Sequence, residues 1–403
     1  MKKRVLSLVL AVMTVVAVVV GCANTESAGT STDTNGTTET TAGTGETIKI
    51  GLLYSITGEF SLSETPMLRA AQMAIEEINE NGGIDGKMIE AIEADYGSDP
   101  AMANEKAQEL ILKEEVVAII GTNASSTRLA VTPTIEQYDA LLVYNTYYEG
   151  EVPSPNLIYT NTVPSQQIAD YIPWIVENLG KKVFFVGSDY EFPRKSIAYA
   201  KALLEEVGGE IVGEEYTPTG ATEFSSIVNK IKDAEPDVVF SAVAGNSTVP
   251  FYIAYSQYGM DMEEMPIASI SMHEAAVKGV GEAAIGSYAS FSYFNSIDTP
   301  ESKAFVEKFT EKFGNEITTT NLAEGAYHGV YLLAKAIETA ESLKTADLIA
   351  AFSGLEVDTP AGAIKMDEEN HHAWLNAYIG RVNEDLGFDI VRKSDGLVAP
   401  IVD

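Results

Sequence analysis

Short apolar runs alternate with amphipathic segments along most of this chain, and this alternation limits its fold more than any other feature. The first pair is a run at 48–54 and a helical pattern at 66–81 that ends before two glycines. Further strand-like runs lie at 89–94, 116–120, 140–144, 182–186, 210–215, 238–243 and 266–271, with helical patterns between most of them. Such alternation predicts α/β architecture, with parallel sheets covered by helices on both faces.

The chain is too long for one such core. Roughly 350 residues follow the first 46, and single cores stop growing at about 250–300 residues. The pattern also restarts near residue 168, and three late helical patterns precede an alternating tail that begins at residue 357. We therefore predict two doubly wound lobes joined by a hinge that the chain crosses more than once. The expected boundaries are 47–162 with 296–355 for the first lobe and 163–295 with 356–403 for the second.

The N-terminus has the pattern of an export signal. Met1 is followed by Lys2, Lys3 and Arg4, and then by an apolar stretch at 5–20 that is short for a membrane-spanning helix. It ends in Val-Val-Gly-Cys at 19–22, which is typical of a lipoprotein signal cut before the cysteine that carries the lipid. The alternative is an ordinary signal peptide that contains a cysteine. We expect a signal peptide at 1–21 and lipidation of Cys22.

The segment at 22–46 predicts a tether. After Cys22 it consists almost wholly of Thr, Ser, Gly, Asn, Ala and acidic residues, which cannot bury enough surface to offset their ordering entropy. A lipidated cysteine and a flexible linker would hold the folded part at the outer face of the cytoplasmic membrane. Cys22 is the single cysteine of the chain, so no internal disulfide is expected.

Charge and motifs exclude several functional classes. With 26 basic and 59 acidic residues the formal net charge is -33, which argues against nucleic acid as a partner. The sequence contains no phosphate-binding loop, nucleophile elbow or His-Glu-x-x-His motif. Acidic and histidine side chains at 367–372 are a weak candidate for a metal site, because adjacent strand residues point to opposite faces. We therefore expect neither an enzyme nor a bound cofactor or metal.

The loops that follow the strands carry the candidate binding residues. In open α/β sheets ligands bind beyond the carboxyl ends of the strands. There the sequence places hydroxyls, amides and aromatic rings, with few charges: Ser125, Tyr144, Thr146, Tyr190 and Phe192. Rings and neutral hydrogen-bonding groups suit a flat, uncharged guest such as an amide or urea. For Ser126 and Thr127 the alternative to ligand contact is a role as helix N-cap. Tyr148, Glu149 and Arg194 are expected to make contacts within their lobes.

From residue 48 to its C-terminus the chain resembles the urea- and short-chain-amide-binding proteins of the type I periplasmic-binding fold. The most specific segment is Gly-Ser-Asp-Tyr-Glu-Phe-Pro-Arg at 187–194, where branched-chain amino-acid receptors of this fold usually have a Gly-rich loop. The other matching segments lie at 148–150, 154–156, 214–216, 224–228, 296–300 and 369–372.

This resemblance implies a ligand site and partners. It places the five candidate residues around the ligand and adds Gly245 and Glu274. The chain departs from the family at Asn123, where relatives tend to have an aromatic residue, and at Asn145, where they tend to have proline. Asn123 is thus a further expected contact and predicts a wider cavity. The implied partners are a small neutral amide-like solute and an ABC permease with its ATPase. The alternatives are an amino-acid receptor of the same fold and a ligand sensor for a signalling partner.

Overall fold

The computed structural model describes residues 47–402, so the predictions for the signal peptide, Cys22 and most of the linker lie outside the described residues. Within 47–402 the chain forms a five-stranded sheet, a seven-stranded sheet and a small three-stranded sheet. Helices cover both larger sheets. No described helix is long and apolar enough to span a membrane.

The first lobe is built on the five-stranded sheet, whose strands are all parallel and lie in the order β2-β1-β3-β4-β5. Its interior strand β1, which pairs with β2 and β3, is almost fully buried, as expected for a sheet covered on both faces. The elements in chain order are β1 (Ile48–Tyr54), α1 (Ser61–Glu80), β2 (Ile89–Asp95), α2 (Pro100–Leu112), β3 (Ala118–Gly121), α3 (Ser125–Gln137), β4 (Leu142–Tyr144) and β5 (Leu157–Tyr159).

The second lobe is built on the seven-stranded sheet, in the order β15-β14-β10-β9-β8-β6-β7. Its strands from β6 to β10 are parallel, and β14 and β15 extend the edge in antiparallel pairing. The elements are α4 (Pro164–Gln167), α5 (Tyr171–Asn178), β6 (Lys182–Ser188), α6 (Glu191–Glu206), β7 (Glu210–Thr217), α7 (Ser225–Ala234), β8 (Val238–Ala242), α8 (Thr248–Gln257), β9 (Ile267–Ser269), α9 (Glu274–Val280), β10 (Tyr288–Phe291), and, near the C-terminus, β14 (Tyr378–Val382) and β15 (Phe388–Lys393).

Between β10 and β14 the chain returns to the first lobe. There α10 and especially α11 pack against α1, and α12 packs against α11. The three-stranded antiparallel sheet then leads back to the second lobe. These elements are α10 (Pro300–Phe313), α11 (Asn321–Ala340), α12 (Thr345–Phe352), β11 (Glu356–Thr359), β12 (Gly362–Met366) and β13 (Ala373–Trp374). The polypeptide thus passes between the two larger sheets three times, which ties each lobe's movement to several segments.

The predicted architecture is confirmed, and the differences are shifted element ends and two missing short elements. Helix α1 begins at Ser61, five residues before the predicted start, because the carbonyl of Phe60 accepts hydrogen bonds from the N–H groups of Ser63 and Glu64. Pro66 therefore lies inside the helix, where its missing N–H removes one backbone hydrogen bond. Ser126 and Thr127 lie within α3, whose N-cap is Ala124, so the N-cap alternative for both is wrong. Strand β5 and helix α9 are absent from the sequence-based prediction because both are short.

Candidate functional site

A small cavity lies between the two larger sheets at the carboxyl ends of their strands. The first lobe contributes Asn123, Ser125 and Thr146 to its lining, and the second lobe contributes Tyr190, Phe192 and Gly245. These are six of the eight residues that the sequence places around a ligand. Loops from both lobes therefore meet at one point, as the strand-end rule predicts.

The lobes are closed on each other in this structure. The cavity has room for about one water molecule, with a volume of about 10 Å³. Four aromatic residues surround it. The ring of Phe60 in the first lobe packs edge-on against Tyr190 in the second at 6.1 Å between centroids, and Tyr147 lies 5.2 Å from Phe192. The wider cavity expected from Asn123 is not seen, because rings from other positions fill the space.

Direct bonds between the lobes stabilise this closed arrangement. The backbone N–H of Asn246 donates to the carbonyl of Glu59 over 2.9 Å. Gly245, which has a φ of +65°, lies so close to the same carbonyl that a Cβ there would be 2.9 Å from its oxygen. Further along the cleft Lys195 and Glu151 form an ion pair of 2.9 Å. Glycine at 245 thus permits the close approach of the two loops.

The first-lobe wall is the start of helix α3. Gly121, with a φ of +135°, turns the chain out of β3, and a Cβ at this position would lie 2.2 Å from the carbonyl oxygen of Leu53. Helix α3 starts at Ser125, and its N-cap residue Ala124 makes no side-chain capping bond. The N–H groups of a first helical turn have no partner within the helix. Thr127 N–H already donates to the carbonyl of Ala124 over 2.9 Å, so the N–H groups of Ser125 and Ser126 are the donors available at the edge of the cavity.

A buried ion pair stands behind Ser125. The Ser125 hydroxyl donates to Glu149 Oε2 over 2.5 Å, and Arg128 Nη2 donates to Glu149 Oε1 over 2.6 Å. The Arg128 side chain is fully buried, and its guanidinium lies 4.6 Å from the centre of the Tyr148 ring. Glu149 therefore makes its contacts within the first lobe, in agreement with the prediction for it. Tyr148 also shares a hydrogen bond of 2.7 Å with Nε2 of His372, which the predicted boundaries assign to the second lobe.

Two more hydroxyls of this wall donate to backbone carbonyls. Thr146 Oγ1 donates to the carbonyl of Thr122 over 3.1 Å, and Tyr144 Oη donates to that of Asn123 over 2.5 Å. Thr146 faces the cavity, whereas Tyr144 does not line it and supports the loop from behind. Its assignment as a ligand contact stays a prediction, and in this closed structure its role is to hold Asn123 in place.

A buried carboxyl group lies below the same loop. Glu64 on α1 accepts hydrogen bonds from Ser55 N–H over 2.7 Å and from Tyr96 Oη over 2.6 Å. Burial raises the pKa of Glu64 to about 8; hydrogen bonds, chiefly from Tyr96, oppose this shift, and the charge of Asp95 adds to it. Asn123 of the cavity wall also lowers the pKa of this carboxyl group by a weaker interaction.

Glu274 is the other predicted residue that does not line the cavity. It is buried at the start of α9, and its Oε1 accepts a hydrogen bond from the N–H of Asn295 over 2.8 Å. No described residue hydrogen-bonds to its Oε2. Burial raises the pKa of Glu274 to about 7, which favours the uncharged form. The neighbouring His273 reaches the cavity lining through a 3.1 Å hydrogen bond to Ser63.

The sequence-based prediction missed several lining residues, among them Phe60, Ser63 and Tyr147. Phe60 and Ser63 belong to the loop and first turn of α1, which the prediction placed outside the helix. Tyr147 lies between two predicted contacts in one strand-end loop. The position of Tyr147 in that loop could have identified it as a lining residue. A correct placement of the start of α1 could have identified Phe60 and Ser63.

A second, larger cavity of about 450 Å³ lies beside the first. Both lobes line it, with Leu62 from α1 and Val249 from α8, and Lys278 and Glu316 add one charge of each sign. It contains none of the predicted ligand contacts. In the described range 47–402 no group of three or more His, Cys, Asp or Glu side chains is placed to hold a metal ion.

Comparison with known proteins identifies the family. The periplasmic binding protein domain family matches residues 48–402. The Leu/Ile/Val-binding protein homolog 6 of Brucella melitensis is 28% identical over 342 residues, which cover 83% of this chain and 87% of that protein.

Two solved structures show the same fold. A solute-binding protein of an ABC transporter from Rhodopseudomonas palustris, in complex with p-hydroxybenzoic acid, is 26% identical with a TM-score of 0.81, covering 88% of this chain and 98% of its own. A branched-chain amino acid transporter substrate binding protein from Streptococcus pneumoniae, in complex with isoleucine, is 25% identical with a TM-score of 0.76, covering 88% and 100%. This chain therefore belongs to the periplasmic binding protein domain family and has the type I periplasmic-binding fold.

Proposed function

We propose that this member of the periplasmic binding protein family captures urea or a short-chain amide between its lobes and delivers it to an ABC permease. One observation carries the proposal. None of the eleven residues that line the interlobe cavity, all within the described part of the chain, has a charged side chain. A charged guest enclosed there would lose its hydration without gaining a partner of opposite charge, which is costly in a closed site.

The chemistry of the wall supports an amide. An amide or urea presents N–H donors and a carbonyl acceptor in one plane. The oxygens of Ser125 and Thr146 are available as acceptors, and the first-turn N–H groups of α3 are available as donors. The rings of Tyr190 and Phe192 would cover the flat faces of the guest.

The small cavity also supports a small guest. Closed lobes that leave room for about one water molecule need to open only slightly to enclose a molecule of four or five heavy atoms. A hydroxybenzoate has ten heavy atoms and a carboxylate. To bind it, the rings of Phe60 and Tyr190 would have to move apart. The carboxylate would also need a positively charged partner, which the cavity lining does not contain.

An amino acid is the second candidate, and Glu274 favours it. Its buried Oε2 has no described hydrogen-bond partner, and a carboxylate is a suitable acceptor for an ammonium group. Two observations weigh against this role. Glu274 does not line the cavity, and burial raises its pKa to about 7, so only about half of it carries the charge near pH 7.

The proposed cycle is an equilibrium between open and closed lobes. The guest would first bind the first-lobe wall at Ser125 and Thr146, and closure would then bring Tyr190 and Phe192 over it. A ligand shifts such an equilibrium by its difference in affinity for the two states. The lobes in this proposal keep the predicted boundaries, 47–162 with 296–355 and 163–295 with 356–403.

The location and partners belong to the same proposal. Lipidated Cys22 would anchor the protein at the outer face of the cytoplasmic membrane, and the closed form would dock on a permease driven by an intracellular ATPase. A role as ligand sensor would use the same closure with a different partner. Permease and ATPase genes beside the coding sequence would favour transport, and a sensor kinase gene would favour signalling.

Isothermal titration calorimetry of residues 47–403 tests the ligand class. We expect measurable heats of binding with urea, acetamide or formamide, and none with isoleucine or 4-hydroxybenzoate. Tyr190→Ala should weaken amide binding at least about tenfold, since it removes a ring that would cover the guest. Tyr258→Ala, at an exposed tyrosine of the same lobe, is the matched control and should leave binding unchanged. Binding of isoleucine alone would refute the amide proposal.

A further inference from the structure

The Ser125 hydroxyl has one proton, and the structure shows where that proton points. It is donated to Glu149 Oε2 over 2.5 Å. Glu149 accepts at its other oxygen from Arg128 over 2.6 Å, and both side chains are buried. Both oxygens of the Glu149 carboxylate thus accept hydrogen bonds, and a carboxylate has no proton to donate. The proton of Ser125 is therefore directed away from the cavity.

We propose that Glu149 sets the hydrogen-bonding direction of Ser125, so that the cleft selects guests that donate N–H and rejects carboxylates. This inference rests on the proposed function, in which the guest binds at Ser125. Toward the cavity Ser125 Oγ then offers only lone pairs. Thr146 behaves in the same way, because its proton goes to the carbonyl of Thr122. Glu149 does not line the cavity and acts as a positioning residue.

The same geometry disfavours a carboxylate at this position. A carboxylate has no proton to donate, so its oxygen would face the lone pairs of Ser125 and Thr146. The negative charge of Glu149 lies one hydrogen bond behind Ser125, which adds repulsion in a poorly hydrated site. An amide avoids both problems, since its N–H groups meet the hydroxyl oxygens and its carbonyl meets the N–H groups at the start of α3.

Acetamide and acetate are the direct test, because they share size and shape and differ in whether they donate or carry charge. In Glu149→Gln the side-chain carbonyl can keep the bond to Arg128, and the amide nitrogen then takes the place of Oε2. That nitrogen would donate to Ser125 Oγ and turn the hydroxyl proton toward the cavity. We expect the ratio of the affinities for acetamide and acetate to fall at least about tenfold, because the direction of one hydrogen bond at Ser125 is reversed.

Three further variants keep the test decisive if Glu149→Gln loses its fold. Ser125→Ala leaves the ion pair intact and should weaken acetamide binding about tenfold without any gain for acetate. Ser125→Thr retains a hydroxyl and should preserve the acetamide preference. Glu136→Gln removes the same charge from an exposed position of α3 and should change neither affinity. Each variant is titrated by calorimetry after circular dichroism has established that it is folded.

The outcomes separate the two proposals. If neither urea nor acetamide binds the wild-type protein, the proposed function fails, and the inference fails with it. If acetamide binds the wild type, but folded Glu149→Gln keeps the original preference, the inference alone is wrong. Unchanged acetamide affinity in Ser125→Ala would overturn it equally.

Discussion

The wild-type protein should become less stable as the pH rises from 5 to 8, and replacement of Glu64 by glutamine should prevent a large part of this decrease. The carboxyl group of Glu64 is fully buried, and its charged form has no basic partner among the groups that contact it. Burial raises its pKa from 4.5 to about 8, so the folded protein keeps the proton that the unfolded chain releases above pH 4.5. Its contribution to stability is therefore complete below pH 4.5 and is lost as the pH rises toward 8.

The magnitude follows from this shift. Each pH unit between the unfolded and folded pKa values changes the free energy of unfolding by about 1.4 kcal/mol. From pH 5 to pH 8 the contribution of Glu64 to the free energy of unfolding should therefore decrease by about 3 kcal/mol. Glutamine resembles the protonated acid, since its carbonyl can accept from Ser55 N–H and its amide can donate to Tyr96. Glu64→Gln should be close to the wild type at pH 5 and more stable by about 3 kcal/mol at pH 8.

Guanidinium chloride unfolding at pH 5, 6, 7 and 8 measures this difference. Urea is unsuitable as the denaturant because it is a candidate guest. Glu80→Gln, which removes a charge from the exposed end of the same helix, is the control and should follow the wild type. Some slope remains in every variant, because burial also raises the pKa of Glu274 to about 7. If Glu64→Gln and the wild type lose stability in parallel from pH 5 to 8, Glu64 is ionised in the folded protein and the reasoning is wrong.

Three other perturbations test the scaffold of the site, each by denaturant unfolding. Gly121→Ala should cost at least about 2 kcal/mol, because its φ is strained and its Cβ would meet a carbonyl; Gly82→Ala shares the positive φ without the clash and should cost less. Arg128→Met should destabilise by about 3 kcal/mol by leaving a buried carboxylate, whereas Arg194→Met at an exposed pair should cost much less. Burial lowers the pKa of His372 to about 4, so stability should fall as the pH drops from 6.5 toward 4, and His372→Gln should reduce that fall. Equal costs within either control pair, or an unchanged acid limb, would contradict these expectations.

The strand-end rule explains how far the sequence alone predicts the site. Apolar runs locate the strands, and the residues just beyond them, such as Ser125, Thr146 and Tyr190, come together because parallel strands end at one edge. Tyr144 is still within β4 and does not line the cavity, so proximity to a strand end does not by itself make a residue part of the lining. The rule therefore predicts which residues lie near the site better than it predicts which of them line the cavity.

Long-range pairing explains what the sequence could not show. Glu149 lies 24 residues from Ser125 and 21 from Arg128, and nothing in the spacing indicates that the three side chains meet. Phe60 lies directly before the first residue of α1 and lines the cavity. Because proline prefers the first turn of a helix, the sequence-based prediction started α1 at Pro66 and missed Phe60. Both facts depend on tertiary packing, and both bear on which solute the cleft would accept.

A crystal structure of the protein with acetamide tests the central claim most directly. Our account predicts the guest between the lobes, with its nitrogen within hydrogen-bonding distance of Ser125 Oγ and its plane covered by Tyr190 and Phe192. A guest found instead in the neighbouring cavity beside Leu62 and Lys278, or a carboxylate retained from the expression host against Ser125, would contradict it.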